Sequence, residues 1–142
     1  MNSIEEIQEE IVSEFAIFDS WNDKYEYLID QGKQLTPMSD SLKTTERLIP
    51  GCQSQVWLHA YVENGLIHYQ ADSDAIITRG MVALLLRIFN NRKAEEITSA
   101  HVTFAEASGL SAHLSPTRAN GLVSMIRQIK TDAIALTRKT SS

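Results

Sequence analysis

Apolar positions recur along this chain with two different periods, and the alternation between them predicts its elements. Ile4, Ile7, Ile11, Phe15 and Phe18 fall at steps of three and four, the stripe of an amphipathic helix. Ser3 and Glu6 frame its start as a capping box, the serine as N-cap and the glutamate reaching back. A second helix is expected from about Trp21, capped by Ser20, with Trp21, Tyr25, Leu28 and Ile29 facing inward and Gly32 as its C-cap. Residues 33–50 hold Pro37 and Pro50 and little periodicity. They read as a loop with a helical turn near Met38–Leu42 and an extended piece through Arg47, Leu48 and Ile49.

The period then changes to two. Val56, Leu58, Ala60 and Val62 alternate with Trp57, His59 and Tyr61, and Asn64-Gly65 is the strongest short hairpin signal. That turn fixes a register: Val62 opposite Ile67, Ala60 opposite Tyr69, Leu58 opposite Ala71, Tyr61 opposite His68 and Trp57 opposite Asp72. One face is apolar on both strands and the other is mixed.

Asp72-Ser73-Asp74 offers caps for a helix from about Ala75 to Phe89. Its apolar set, Ile76, Ile77, Met81, Leu84, Leu85, Ile88 and Phe89, covers much of the circumference and predicts a central helix. Asn90-Asn91 ends it, and Glu95-Glu96-Ile97 suggests a further turn. His101 to Phe104 fits either a short strand or the entry to a helix. Ser115-Pro116 is an N-cap followed by a proline at the first helical position. The long helix beyond it carries Leu122, Met125, Ile126, Ile129, Ala133 and Leu136 to a basic end at Arg138-Lys139.

Composition narrows the function. The chain has 142 residues, 43% of them hydrophobic, which suits one globular domain spanning 1–142. Its net charge is -5 and its basic residues are scattered, which argues against a nucleic-acid partner. The longest apolar run, Met81 to Leu86, is far too short to span a membrane. The acidic start MNSIEEIQEE does not resemble a signal peptide. A single cysteine makes no internal disulfide and no cysteine-rich metal site, so a reducing cytoplasm is the expected location.

That cysteine, Cys52, sits in IPGCQSQVW, a turn ahead of the first strand. Pro50 stiffens the approach and Gly51 gives the backbone freedom to turn. A lone cysteine is commonly a small buried hydrophobe. The polar flank Gln53-Ser54-Gln55 argues instead for a displayed, reactive thiol, and the residues alone leave both readings open. His59, His68, His101 and His113 do not form a ligand set. A Cys/His hydrolytic pair or a thiol redox sensor is the alternative function class. No G-x-S-x-G, P-loop or dinucleotide glycine pattern is present. Arg118, in the first turn of the last helix, is either a solvated side chain or a positive charge that stabilises a thiolate or docks a partner's carboxylate.

Three segments in order carry a resemblance: GCQSQVW at 51–57, Asp72-Ser73-Asp74 with Arg79-Gly80, and HLSPTRANGL at 113–122. Together they resemble the SufE family of sulfur acceptors, nearer to it than to the GCENRVW type of its sibling CsdE. The resemblance runs from the first helix to the last. Pro50 and Ala119 depart from residues frequent in the family. It implies an α+β fold, a small antiparallel sheet with helices on one side, similar to iron–sulfur scaffold proteins. It implies a sulfur carrier rather than an enzyme: Cys52 takes persulfide sulfur from a cysteine desulfurase of SufS type, stimulates it, and passes sulfur to a SufBCD-like cluster scaffold. Pyridoxal phosphate resides on the desulfurase, and this chain itself needs no cofactor or metal. Gly51, Asp74, His113 and Arg118 are the candidates for the thiol's surroundings or for docking, and a homodimer is an open expectation. Attack requires a thiolate, so positive potential near Cys52 is expected to help. A carrier also gains from hiding its persulfide, with Leu48, Ile49 and Pro50 as an apolar arm that tucks against the sheet.

Overall fold

A computed structural model describes residues 2–140; Met1, Ser141 and Ser142, and the side chain of Lys139 at the expected basic end, lie outside the described residues. The order is α1 (Ile4–Ala16), α2 (Trp21–Lys33), two 3-10 turns (Asp40–Leu42 and Thr45–Arg47), β1 (Val56–Glu63), β2 (Leu66–Ser73), α3 (Ile76–Phe89), α4 (Ala94–Ser99), α5 (Phe104–Ala107), α6 (Leu110–His113) and α7 (Pro116–Thr140). It is an α+β fold, rich in helix, with a two-stranded antiparallel sheet.

The hairpin has the register its sequence predicts, from Trp57 opposite Asp72 to Val62 opposite Ile67. Asn64 (φ 55°) and Gly65 (φ 77°) both take the left-handed turn conformation that this connection demands. The apolar face, with Val56, Leu58, Ile67, Tyr69 and Ala71, is buried against α3 and α7. The Tyr69 hydroxyl donates to the Ile129 carbonyl of α7 at 2.7 Å. On the mixed face His59, Tyr61 and His68 stack in a row.

Both sheet edges are occupied by short stretches of chain and not by full strands. Leu48 bridges Trp57 beside β1, and the Ile49 N–H donates to the Val56 carbonyl at 2.8 Å. Beside β2, the Asn90 side chain mimics a strand: it accepts from the Tyr69 N–H at 2.8 Å and donates to the Tyr69 carbonyl at 3.3 Å. Ile67 pairs with Arg92 next to it.

α3 is the central helix, and Met81, Leu84, Leu85, Ile88 and Phe89 are each almost fully buried. The expected inward position of Ile76 is corrected: at the first position of the helix it is 65% exposed. The cap is corrected as well. Ala75 is the N-cap without a side-chain bond, and the acids before it do other work. Buried Asp72 is held by Lys43 and Arg79, each at 3.2 Å, while Asp74 turns to the loop before β1.

Gly32 does not end α2. The helix runs on to Lys33, and Gly32 lies against α3, where an added Cβ would sit 2.9 Å from the Gly80 nitrogen. At Gly80 a Cβ would lie 2.3 Å from the Leu28 carbonyl oxygen, so the two helices cross at backbone contact. Arg47 belongs to a 3-10 turn, and the extended piece starts only at Leu48.

The 101–104 segment resolves as the entry to α5. Buried Gln8 on α1 accepts from the Thr103 and Phe104 N–H groups (2.8 and 3.1 Å) and donates to the His101 carbonyl at 3.0 Å. A side chain thus satisfies the backbone that a partner strand would have satisfied.

Candidate functional site: the Cys52 loop and the cleft beneath it

The loop that carries Cys52 leaves and re-enters the sheet at one point. Ile49, 6% exposed, anchors its near end in the core, where the expected arm holds; Pro50 is exposed and does not tuck in. At the far end Gln55 and Asp74 are doubly joined: the Gln55 N–H donates to Asp74 Oδ1 at 3.0 Å, and the Asp74 N–H to the Gln55 carbonyl at 3.3 Å. Asp74 therefore holds the base of the loop and is not in contact with the thiol.

Between these anchors the loop bends back onto α7. Gly51 has φ +85°, and a Cβ there would fall 2.6 Å from Ser124 Oγ. The positive φ calls for glycine, and any Cβ there would also require the Ser124 hydroxyl to rotate away. Cys52 follows, half-buried, with its S–H directed at the Gly121 carbonyl oxygen 3.7 Å away. A Cβ on Gly121 would lie 3.8 Å from the sulfur, so the thiol sits in the space a glycine leaves on the helix. Burial pushes the Cys52 thiol up from its ordinary range. The sign is opposite to the lowering expected from nearby positive potential: in this arrangement desolvation dominates.

Beside the sulfur opens a cleft of about 250 Å³, lined by Cys52, Gln53 and Ser54 of the loop, Thr78 and Met81 of α3, and Ser115, Thr117, Arg118, Gly121 and Met125. Ser115 caps α7, its hydroxyl accepting from the Arg118 N–H at 3.2 Å, which fixes where Arg118 leaves the helix. Of the sequence candidates, Cys52 and Arg118 are brought together here, with Gly51 next to Cys52 and against Ser124.

His113 is not. Its ring stacks on Trp21 at 3.6 Å between centroids, and its Nδ1 lies 3.1 Å from the Gly109 carbonyl. No histidine lines the cleft. Among the described residues no group of three or more His, Cys, Asp or Glu side chains could hold a metal ion. His59 instead meets Arg47 Nε at 3.3 Å, and burial pushes its pKa down.

Sequence reasoning missed Gly121 and Ser124 as the seat of the loop, and Thr78 as part of the cleft wall. The signals were present. Gly121 and Ser124 are spaced to share one helix face, and Thr78 is a polar interruption in an apolar helix.

A family model described as an Fe-S metabolism associated domain, SufE, matches residues 9–133. The chain belongs to the SufE family. A SufE-like protein of Rhizobium meliloti is 44% identical over 131 residues, covering 88% of this chain and 93% of that one. A SufE-like protein of Synechocystis is 39% identical over 125 residues, 88% of this chain and 79% of its own. The chloroplastic/mitochondrial SufE-like protein 1 of Arabidopsis thaliana is 40% identical over 129 residues, 90% of this chain but 35% of that longer protein. The solution structure of a hypothetical protein from Thermus thermophilus superposes with a TM-score of 0.77 at 16% identity, covering 93% of this chain and 96% of that one; it attests the fold.

Proposed function

We propose that this protein is a sulfur carrier in iron–sulfur cluster assembly, with Cys52 as the carrying atom's anchor. Membership of a family tied to Fe-S metabolism supports the setting. The observation that carries the reading is the position of the sole cysteine: a thiol on a glycine-pivoted loop, half-buried over Gly121 and open to a small cleft. In the transfer, the Cys52 thiolate attacks the outer sulfur of a desulfurase cysteine persulfide. A new S–S bond forms at Cys52, the old one breaks, and its electron pair leaves on the desulfurase cysteine as thiolate. Cys52 then hands the sulfur to a cluster scaffold by the same exchange. The pyridoxal phosphate that frees sulfur from cysteine belongs to the desulfurase.

The half-buried, protonated thiol is the resting form, and docking on the desulfurase draws the loop out. The missing histidine in the cleft disfavours a Cys/His hydrolase, and a raised thiol pKa disfavours a peroxide sensor, which needs a ready thiolate. A free thiol belongs in a reducing compartment, here the cytoplasm. Among the described residues no helix is long and apolar enough to cross a membrane.

The test is intact mass after incubation with a cysteine desulfurase and cysteine. One or more sulfur atoms should add to the wild type and be lost to a reductant. Cys52→Ser should neither gain sulfur nor stimulate the desulfurase; full stimulation by that variant overturns the carrier role.

A further inference from the structure

One buried polar side chain in the cleft wall makes no hydrogen bond within the fold. Thr78 on α3 is 6% exposed and lines the cleft beside Cys52. A helical threonine ordinarily turns its hydroxyl back to a carbonyl three or four residues earlier. Thr98 does so to Ala94 at 3.1 Å, and Thr137 to Ala133 at 2.8 Å. No hydrogen bond joins the Thr78 side chain to any described residue, and its hydroxyl is not among the fully enclosed unpaired polar atoms, so it borders the cleft. A hydroxyl so placed is free to donate to whatever occupies the cleft.

The rest of the lining says what that is. No carboxylate borders the cleft, and its one charged residue is Arg118 in the first turn of a long helix, where anions are favoured. The other charges nearby are engaged elsewhere: Arg79 lies 3.2 Å from Asp72, and Asp74 accepts from Gln55. The unloaded thiol does not need these donors, since it gives its own S–H to Gly121. A second sulfur would extend Cys52 by an S–S bond of about 2 Å. The outer S–H of a persulfide is more acidic than a thiol, so this group carries negative charge near neutrality.

We propose that the cleft is the binding site of the anionic outer sulfur of a Cys52 persulfide, with the Thr78 hydroxyl as its hydrogen-bond donor and Arg118 as its counter-charge. This rests on the sulfur-carrier reading and gives it a specific polar contact. One seat then serves two states: neutral thiol against the Gly121 carbonyl, charged persulfide against Thr78 and Arg118. Thr78 is a positioning residue for the loaded form alone.

The experiment loads Cys52 without any desulfurase. In inorganic polysulfide the Cys52 thiolate attacks a chain sulfur; an S–S bond forms at Cys52, one breaks in the polysulfide, and the shortened polysulfide dianion leaves with the electron pair. Wild type, Thr78→Val and Thr78→Ser are compared by the pH profile of iodoacetamide labelling, loaded and unloaded. The near-isosteric valine should move the loaded profile up by about one pH unit, roughly a tenfold loss of anion at a fixed pH below the midpoint, and serine should restore it. The unloaded profile should stay in place. Equal movement of both profiles, no movement of the loaded one, failure of serine to restore it, or a wild type that polysulfide cannot load would each overturn the proposal. A parallel arm with desulfurase and cysteine keeps the two readings apart: failure there alone sinks the carrier role, while the polysulfide arm still decides Thr78.

Discussion

Gly51 sets the accessibility of the thiol through its backbone. Its φ of +85° strains any side chain, and a Cβ would also have to displace the Ser124 hydroxyl. Left-handed backbone costs an L-residue roughly 1–2 kcal/mol, all of it in the seated loop. Gly51→Ala should therefore favour the unseated loop, and Cys52 should alkylate roughly 5–30 times faster. Its labelling midpoint should fall toward that of an exposed thiol, because burial is what raises it. In the wild type, labelling should climb with pH and be slow near neutrality. Arg118 makes a separate case. It is exposed, so Arg118→Ala should leave thermal stability within about 0.5 kcal/mol of wild type. Sulfur transfer from the desulfurase should slow, and unchanged transfer rates would return Arg118 to the solvated surface.

Among the elements, the α2–α3 crossing shows where sequence reading stops. Gly32 near the end of an amphipathic stretch has the form of a C-cap, and nothing local distinguishes that from a packing glycine. The distinction lies in Gly80, 48 positions on, whose backbone takes up the space. Gly80→Ala forces a Cβ to 2.3 Å from the Leu28 carbonyl oxygen, which a rigid helix cannot yield. Overpacking of this kind costs about 3 kcal/mol or more, a loss on the order of 10 °C in Tm, readable by thermal denaturation. The hairpin is the opposite case. Its alternation, its Asn-Gly turn and its register are all local, so every predicted pair is found. The cap expected from Asp72-Ser73-Asp74 fails for an intermediate reason. Acids before a helix are good caps, but Lys43, Arg79 and the Gln55 backbone compete for them across the fold.

On the scale of the whole molecule, α+β architecture was legible because it is the sum of such periodic segments. The thiol's place on a loop was legible from Pro50 and Gly51. The cleft was not, since it exists only where a loop, α3 and α7 converge, and Thr78 and Gly121 carry no mark of that meeting in their own neighbourhoods. His113 shows the reverse: adjacency in the motif to Arg118 suggested a shared site, yet its ring packs on Trp21. The charge of the chain is also uneven in its effect. A net charge of -5 surrounds a cleft whose only charged residue is basic, so the cleft's field is local and depends on Arg118.

Asn90 has a consequence for how this protein behaves in concentrated solution. A two-stranded sheet with an unprotected margin is a template on which other chains can assemble. By standing in for a strand beside Tyr69, the Asn90 side chain covers the part of that margin which the Ile67–Arg92 bridge leaves open. Asn90→Ala would leave the Tyr69 N–H without its partner, at about 1–3 kcal/mol. It would also uncover the margin at Tyr69, while the Ile67–Arg92 bridge still covers the neighbouring pair. On slow heating the variant should scatter light at a lower temperature and at a lower protein concentration than the wild type, and its aggregates should be richer in intermolecular β-structure by infrared absorption. The solubility of the folded protein is thus expected to depend in part on a side chain outside the Cys52 cleft.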